Sequence, residues 1–400
     1  MIRFSRRQAL WSSLGITAAS IMASGDENPQ SGSKVTSGQF QNDPGLATRL
    51  MQTNSLPEIE ALARDSMMKS TYEVVSGGAA DEITLRWNRE ALDRIRLQPH
   101  VLVDVSKLDT RIKLFGHELP FPILLAPTGE HGFIHPDGEL ATVRGAGASA
   151  ALSVISAASS FPLEEIARAA TSPIWCQMFI KPDRALTRSF VERAEAAGCQ
   201  ALCVTVDDPI TGVRDKIWRA QAQSTNPRTA NRTGMTSAKY VPPQNRYDPT
   251  LPDKVTWEDL DWLRSFARVP ILLKGVLNPD DAERAVQAGA SGLIVSNHGA
   301  RQLDTVSATI DALPLIVERV AGRVPVLVDG GIRRGTDVLK ALAIGASAVL
   351  IGRPYVYGLA TGGSDGVSHV INILRSELEV AMALTGRPTI ARIDRTVLRS

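Results

Sequence analysis

From residue 123 onward the chain repeats one pattern of hydrophobic and polar positions. Continuous apolar runs at 123–126, 151–155, 174–179, 201–206, 270–273, 292–295, 325–328 and 348–351 alternate with stretches of helical periodicity. Runs that are apolar at every position, not at every second one, are what strands covered on both faces require. The stretches between them, such as "PLEEIARAA", "ALTRSFVERAEAAG", "PDDAERAVQAGA" and "GTDVLKALAIGA", read as amphipathic helices, several of which stop at glycine. Eight such α/β units close most naturally into a (β/α)8 TIM barrel. A doubly wound sheet is the alternative, but eight units without a dinucleotide fingerprint weigh against it. The rhythm breaks once, between Asp207 and Val269, where the polar, Pro-rich "QAQSTNPRTANRTGMTSAKYVPPQNRYDPT" falls. A long excursion after the fourth strand predicts a lid or mobile loop over the C-terminal mouth. Residues 55–111 precede the barrel and read as helical at first, which predicts an N-terminal helical segment capping its bottom or side.

Barrel active sites sit at the C-terminal strand ends. In chain order those ends read Pro127 with Thr128 and Gly129, Ser156, Gln177, Thr205 with Asp207, Lys274, Ser296 with His298, Asp329 with Gly330 and Gly331, and Gly352 with Arg353. A barrel built for stability alone does not need a polar group on nearly every ending, so the endings are read as one shared site. The sixth, "SNHGARQLD", carries a histidine, an arginine, an amide and a carboxylate in close succession. The seventh and eighth, "VDGGIRRGTD" and "LIGRP", are rich in glycine and arginine. Barrels bind phosphate at these strands through backbone N–H groups and a helix N-terminus. Paired glycines alone fit a tight turn equally well. Arg333 and Arg353 on adjacent ends favour phosphate, and without a Walker or kinase pattern the phosphate belongs to a cofactor.

Composition narrows the classes. The chain of 400 residues is 44% hydrophobic and 22% charged, enough to bury a large core. A net charge of +2 and 5% aromatics give no footing for nucleic acid or a polybasic membrane surface. Cys176, Cys199 and Cys203 lack zinc spacing and read as buried small hydrophobes. His131 and His135 are four apart, but Gly132 and Pro136 spoil a helical metal pair, so no metal site is expected. The start, "MIRFSRRQALWSSLGITAASIMASG", has a basic head, an apolar stretch and then small residues. That is the layout of an export signal, too short and Ser-rich to span a membrane, and "SRRQAL" resembles a twin-arginine signal. The expected organisation is a signal peptide at 1–25, a flexible linker at 26–50 and the barrel at 51–400. It places the protein in the periplasm; an ordinary basic terminus would leave it in the cytoplasm. No cysteine precedes Cys176, so no lipoprotein anchor is expected.

The motifs "PILLAPTG" with "HPDGE", "TVDDP" followed by "GVR", "LLKGV", "IVSNHGARQLD", "LVDGGIRRGTD" and "LIGRP" resemble the FMN-dependent 2-hydroxy-acid oxidase and dehydrogenase family, in its order and spacing. That family includes glycolate oxidase, lactate oxidase and mandelate dehydrogenase. The resemblance implies FMN as cofactor and oxidation of an L-2-hydroxy acid to the 2-keto acid. It implies His298 as the active-site base, Asp207 as the carboxylate that orients it, and Lys274 beside the flavin where negative charge develops. Arg301 and Arg214 would clamp the substrate carboxylate, a task suited to arginine's planar fork. Thr128, Gly129, Ser156, Gln177, Thr205 and Ser296 are implied flavin contacts; Asp329, Gly331, Arg333, Gly352 and Arg353 would hold ribityl chain and phosphate. Singly, each has a plainer reading: His298 as a core histidine, Asp207 as a helix cap, Arg301 with Asp304 as a surface salt bridge. A homo-oligomer, a tetramer in many relatives, is also implied. The electron acceptor stays open between oxygen, a cytochrome and another carrier, and no haem motif is present in the chain.

Three aromatic positions of the family are missing. Ile59 and Phe179 are read at places of substrate-binding tyrosines and Ala158 at the place of a large side chain, while Glu130 follows Gly129 where an apolar residue is usual. Lost hydroxyls and opened volume predict a larger, more apolar pocket and a bulky substrate. An unusual FMN substrate, an FMN-binding isomerase and a non-catalytic flavin module are the alternatives.

Overall fold

Each apolar run becomes a strand buried on both faces. The computed structural model describes residues 45–222 and 255–399. A short antiparallel hairpin comes first, β1 (Ile112–Leu114) and β2 (His117–Leu119). The barrel strands follow: β3 (Ile123–Leu125), β4 (Ser153–Ser156), β5 (Ile174–Met178), β6 (Leu202–Thr205), β7 (Ile271–Val276), β8 (Gly292–Val295), β9 (Val326–Asp329) and β10 (Ala348–Ile351). All pair in parallel with their sequence neighbours, and β10 pairs with β3 to close the barrel.

Strand periodicity then sorts the side chains. Leu124, Val154, Trp175, Cys203, Leu272, Ile294, Leu327 and Leu350 form a core inside the barrel. Positions one residue away, such as Leu125, Ile155, Cys176, Val204, Leu273 and Val328, pack outward in the cluster shared with the helices. Two steps beyond the inner layer lie Ser156, Gln177, Thr205, Lys274, Ser296, Asp329 and Gly352. The polar endings therefore share the inward parity and face one another above the apolar plug.

The two ends of the barrel are closed differently from the expectation. Phe115, in the hairpin turn, packs on Trp175 with ring centroids 5.6 Å apart and lies against Gly292, so the hairpin closes the bottom. Helices α1 (Leu46–Met51), α2 (Leu56–Ser66), α3 (Lys69–Ser76) and α4 (Ile83–Arg94) come before it. The loop into α4 docks on the C-terminal rim: the Asp304 carboxylate accepts N–H bonds from Asp81, Ile83 and Thr84 at 3.1, 3.2 and 2.8 Å. The Asn88 and Asn297 side-chain amides pair reciprocally at 3.0 and 2.8 Å. Residues 55–111 thus build part of the mouth, because the N-terminus of α4 is neutralised by a carboxylate from the loop after β8.

Helix α1 also shortens the expected linker at 26–50: Leu50 is buried and packs at Gly362, at the kink between the two C-terminal helices within 353–384. The signal at 1–25, the rest of the linker to 44 and residues 223–254 of the excursion lie outside the described residues. The described flanks of the excursion are helical, at Asp215–Ala222 and Trp257–Arg264. Cys176 and Cys199, read as simple buried hydrophobes, are instead joined in a disulfide, because the turn into β6 brings their Cα atoms to 6.1 Å. Cys203 is the free buried thiol, and burial pushes it up to about 12.

Candidate active site

A cavity of about 370 Å³ opens where the strands end. Of the residues expected in the site, Thr128, Gly129, Ser156, Gln177, Phe179, Thr205, Lys274, His298, Arg301, Asp329, Gly331, Arg333, Gly352 and Arg353 line it. Asp207, Ser296 and Arg214 stand one layer behind, bonded to lining residues. Ile59 does not belong to the site: it is 1% exposed, inside the hydrophobic core. The N-terminal segment instead contributes Val74 and Val75 to the wall.

His298 sits on a turn in which it, Gly299 and Ala300 all have left-handed φ, at 58°, 62° and 60°. Such a turn costs energy at non-glycine positions and needs support from its surroundings. Ser296 Oγ accepts the His298 N–H at 3.0 Å, and Asn297 Oδ1 accepts that of Ala300 at 3.0 Å. The turn aims the imidazole so that Nδ1 lies 3.0 Å from Asp207 Oδ1, leaving Nε2 as the other ring nitrogen. Burial works against the Asp207 charge, but the His298 hydrogen bond and the Lys274 and His298 charges outweigh it, holding the carboxyl below its usual range. Asp207 is therefore ionised above the ordinary carboxylate range, and its pairing is lost only on acidification through the lowered value. The acid limb of a pH–rate profile will report a group other than Asp207.

Gly275 makes that pairing possible. It lies at a register shift between β7 and β8 with φ of 110°, and a Cβ there would fall 2.4 Å from Asp207 Cγ. Gly275→Ala is expected to push the carboxylate off the imidazole and lower kcat about 10²-fold. FMN content and KM should change little, which steady-state kinetics with flavin quantitation will check.

Lys274 reaches the inner layer from β7. Its ammonium donates to Ser296 Oγ at 2.9 Å and lies 3.3 Å from Asp329 Oδ2. Burial disfavours its charge, yet Asp329 and Asp207 outweigh burial and raise its pKa. The arginines are held by backbone carbonyls. Arg301 donates to Val74 O and Gly77 O at 3.0 and 2.8 Å, and Arg353 to Val75, Gly77 and Gly299 carbonyls at 2.8–2.9 Å. Arg214 Nε donates to Arg301 O at 2.8 Å and its terminal nitrogen to Gln302 Oε1 at 2.9 Å. Burial lowers the Arg301 pKa, and the neighbouring Arg353 and Arg214 lower it further. Neutral carbonyls orient these cations without cancelling them, so an anion entering the cavity meets concentrated positive charge.

The β9 end fits a phosphorylated flavin. Gly330 and Gly331 have φ of 98° and 81°, and a Cβ on Gly331 would lie 2.3 Å from the Asn88 carbonyl. Only glycine lets the loop pass so close to α4. Asp329 is buried, and its Oδ1 has no hydrogen-bond partner, which suits a ribityl hydroxyl donor. Arg333 lines the same end, with Nε 3.7 Å from Glu60. Ser156, Gln177 and Thr205 are joined in a chain: Ser156 Oγ donates to Gln177 Oε1 at 3.1 Å, and Gln177 Nε2 to Thr205 Oγ1 at 2.9 Å.

An oriented histidine that can take a proton, set among cations that favour an anion, suits an oxidoreductase working on a bound phosphorylated flavin. The chain belongs to the FMN-dependent dehydrogenase family, whose model matches residues 63–400. It is similar to a peroxisomal (S)-2-hydroxyacid oxidase of Arabidopsis thaliana, 44% identical over 87% of this chain and 97% of that protein. An L-lactate oxidase of Nostoc sp. is 45% identical over 88% of this chain and 99% of its own. A solved mandelate oxidase, in complex with (S)-2-phenylpropionate, superposes with a TM-score of 0.78 at 38% identity, covering 87% of this chain and 98% of that one. FMN is the cofactor.

Proposed function

We propose that this protein oxidises a bulky, apolar-substituted L-2-hydroxy acid to the 2-keto acid. One observation carries this reading: the His298–Asp207 pair and Arg301 open on the same cavity as the apolar side chains of Val74, Val75, Ala158 and Phe179. FMN, when bound, supplies the two-electron acceptor. His298 takes the proton from the substrate, and Asp207 holds the imidazole in orientation and stabilises its charge. Arg301, steadied from behind by Arg214, binds the substrate carboxylate. Lys274 offers a fixed positive charge at the inner wall, where it favours an electron-rich ligand. Ser156, Gln177 and Thr205 hold the ring edge, and Asp329, Gly331, Arg333 and Arg353 the ribityl and phosphate end.

Size selectivity tests the substrate. kcat/KM is expected to be about 10-fold or more higher for (S)-mandelate or a long-chain 2-hydroxy acid than for glycolate, in line with the 1–3 kcal/mol carried by apolar pocket contacts. Ala158→Trp should invert that order by filling the wall. Fast turnover of glycolate with slow turnover of every bulky acid would rule out the widened pocket. We propose oxygen as the acceptor, on the strength of relatives named as oxidases; one hydrogen peroxide per keto acid is then expected. We also propose export by the twin-arginine route on the "SRRQAL" motif, to be checked by fractionating cells that carry lysines at Arg6 and Arg7.

A further inference from the structure

Behind Thr128 stands a buried polar network that the proposed reaction does not use. His131 is 4% exposed and Tyr355 1%. Thr128 Oγ1 lies 2.6 Å from His131 Nε2 and is hydrogen-bonded to the Tyr355 hydroxyl. His131 Nδ1 lies 3.0 Å from Thr142 Oγ1, and the His131 backbone N–H donates to Glu139 Oε1 at 2.9 Å. Tyr355 also donates to the Ala126 carbonyl at 2.8 Å.

The protons of this network can be assigned from what each group is able to give. A carbonyl oxygen only accepts, so the single Tyr355 proton goes to Ala126. The Tyr355 oxygen is then an acceptor, and its partner Thr128 is the donor. Burial lowers the His131 pKa, which keeps the ring neutral with one N–H. With the Thr128 proton turned toward Tyr355, a bare Nε2 would set two acceptors face to face at 2.6 Å. Nε2 therefore carries the proton, and Nδ1 accepts from Thr142. Thr128 gives its one proton away from the cavity and uses one lone pair for His131. These partners leave its second lone pair free.

We infer that Thr128, which lines the cavity, meets the cofactor as an acceptor only, because Tyr355 and His131 hold its proton away from the cavity. An isoalloxazine edge offers both N–H donors and carbonyl or imine acceptors, and an acceptor-only hydroxyl selects an N–H. Tyr355 is a positioning residue that acts through Thr128, and His131, which itself lines the cavity, occupies the other Thr128 lone pair. The inference rests on FMN occupying this cavity, and not on which hydroxy acid is oxidised.

Tyr355→Phe removes the acceptor for the Thr128 proton and lets that proton turn toward the ring; Thr128→Val removes the hydroxyl. FMN release on dilution of the holoenzyme, followed by recovery of flavin fluorescence, gives the affinity of the oxidised form. The midpoint potential then gives that of the reduced form. Tyr355→Phe is expected to weaken FMN binding about tenfold in at least one redox state, as does an unpaired group at a buried hydrogen-bonding site. Thr128→Val should do the same, and Tyr355→Phe should cost nothing further in the Thr128→Val background. A tyrosine that only packs would give the same loss in both backgrounds, and such multiplying losses would overturn the inference. Unchanged affinity of Tyr355→Phe in both redox states would do so too. Wild-type protein that holds no FMN would remove the cofactor reading along with it. Tight FMN without hydroxy-acid turnover would remove the substrate reading alone and leave the coupled loss as the expected result.

Discussion

Replacing His298 by asparagine lowers kcat/KM for the 2-hydroxy acid by about 10²–10⁴-fold while FMN stays bound, the range carried by a positioned general base. The side chain touches the cavity, but its backbone turn is held by Ser296 and Asn297, not by the ring. The substitution should therefore leave the flavin absorbance and the melting temperature nearly unchanged. Asparagine keeps a polar group within reach of Asp207, so the carboxylate is not left facing an apolar surface. Rapid-reaction measurement of flavin bleaching separates the outcomes: a slow reductive step with normal substrate affinity fits a lost base. A variant that reduces its flavin at the wild-type rate would remove His298 from the chemistry.

The second large effect belongs to Arg301. Arg301→Lys is expected to raise KM about 10²-fold or more, because lysine cannot offer the planar fork that binds a carboxylate in two places. Losing one partner of a buried charged hydrogen bond costs 2–5 kcal/mol. Arg301 also donates to Val74 O and Gly77 O, so the substitution loosens the segment that carries the Val74 and Val75 wall. The loss should therefore be larger for bulky acids than for glycolate. An equal loss for both would place Arg301 on the carboxylate alone, and an unchanged KM would take it out of substrate binding.

The barrel was legible because its signal is local. Apolar runs flanked by amphipathic helices mark their strands one by one, and the foreseen runs at 292–295 and 348–351 coincide with β8 and β10. The inward parity of Ser156, Gln177, Thr205, Lys274, Ser296 and Asp329 follows from the same period of two. What stayed hidden depends on contacts between distant segments. Residues 55–111 could be read as helices, but long-range bonds bring them to the mouth, among them those of Asp304 to Ile83 and Thr84 across some 220 positions. That crossing puts Val74 and Val75 in the cavity and leaves Ile59 in the core. No pattern within "EVVSGG" announces it. The anchors of Arg301 and Arg353 were equally hidden, because they are backbone carbonyls, which every residue carries. The Cys176–Cys199 pairing depends on strand register and not on cysteine spacing.

The most direct test of the account is anaerobic titration of the purified, yellow protein with glycolate, L-lactate, (S)-mandelate and long-chain L-2-hydroxy acids, followed at the oxidised flavin absorbance. The account predicts stoichiometric bleaching, fastest with the bulky acids, and appearance of the matching 2-keto acid. Flavin that remains bound and oxidised in the presence of every acid would contradict it.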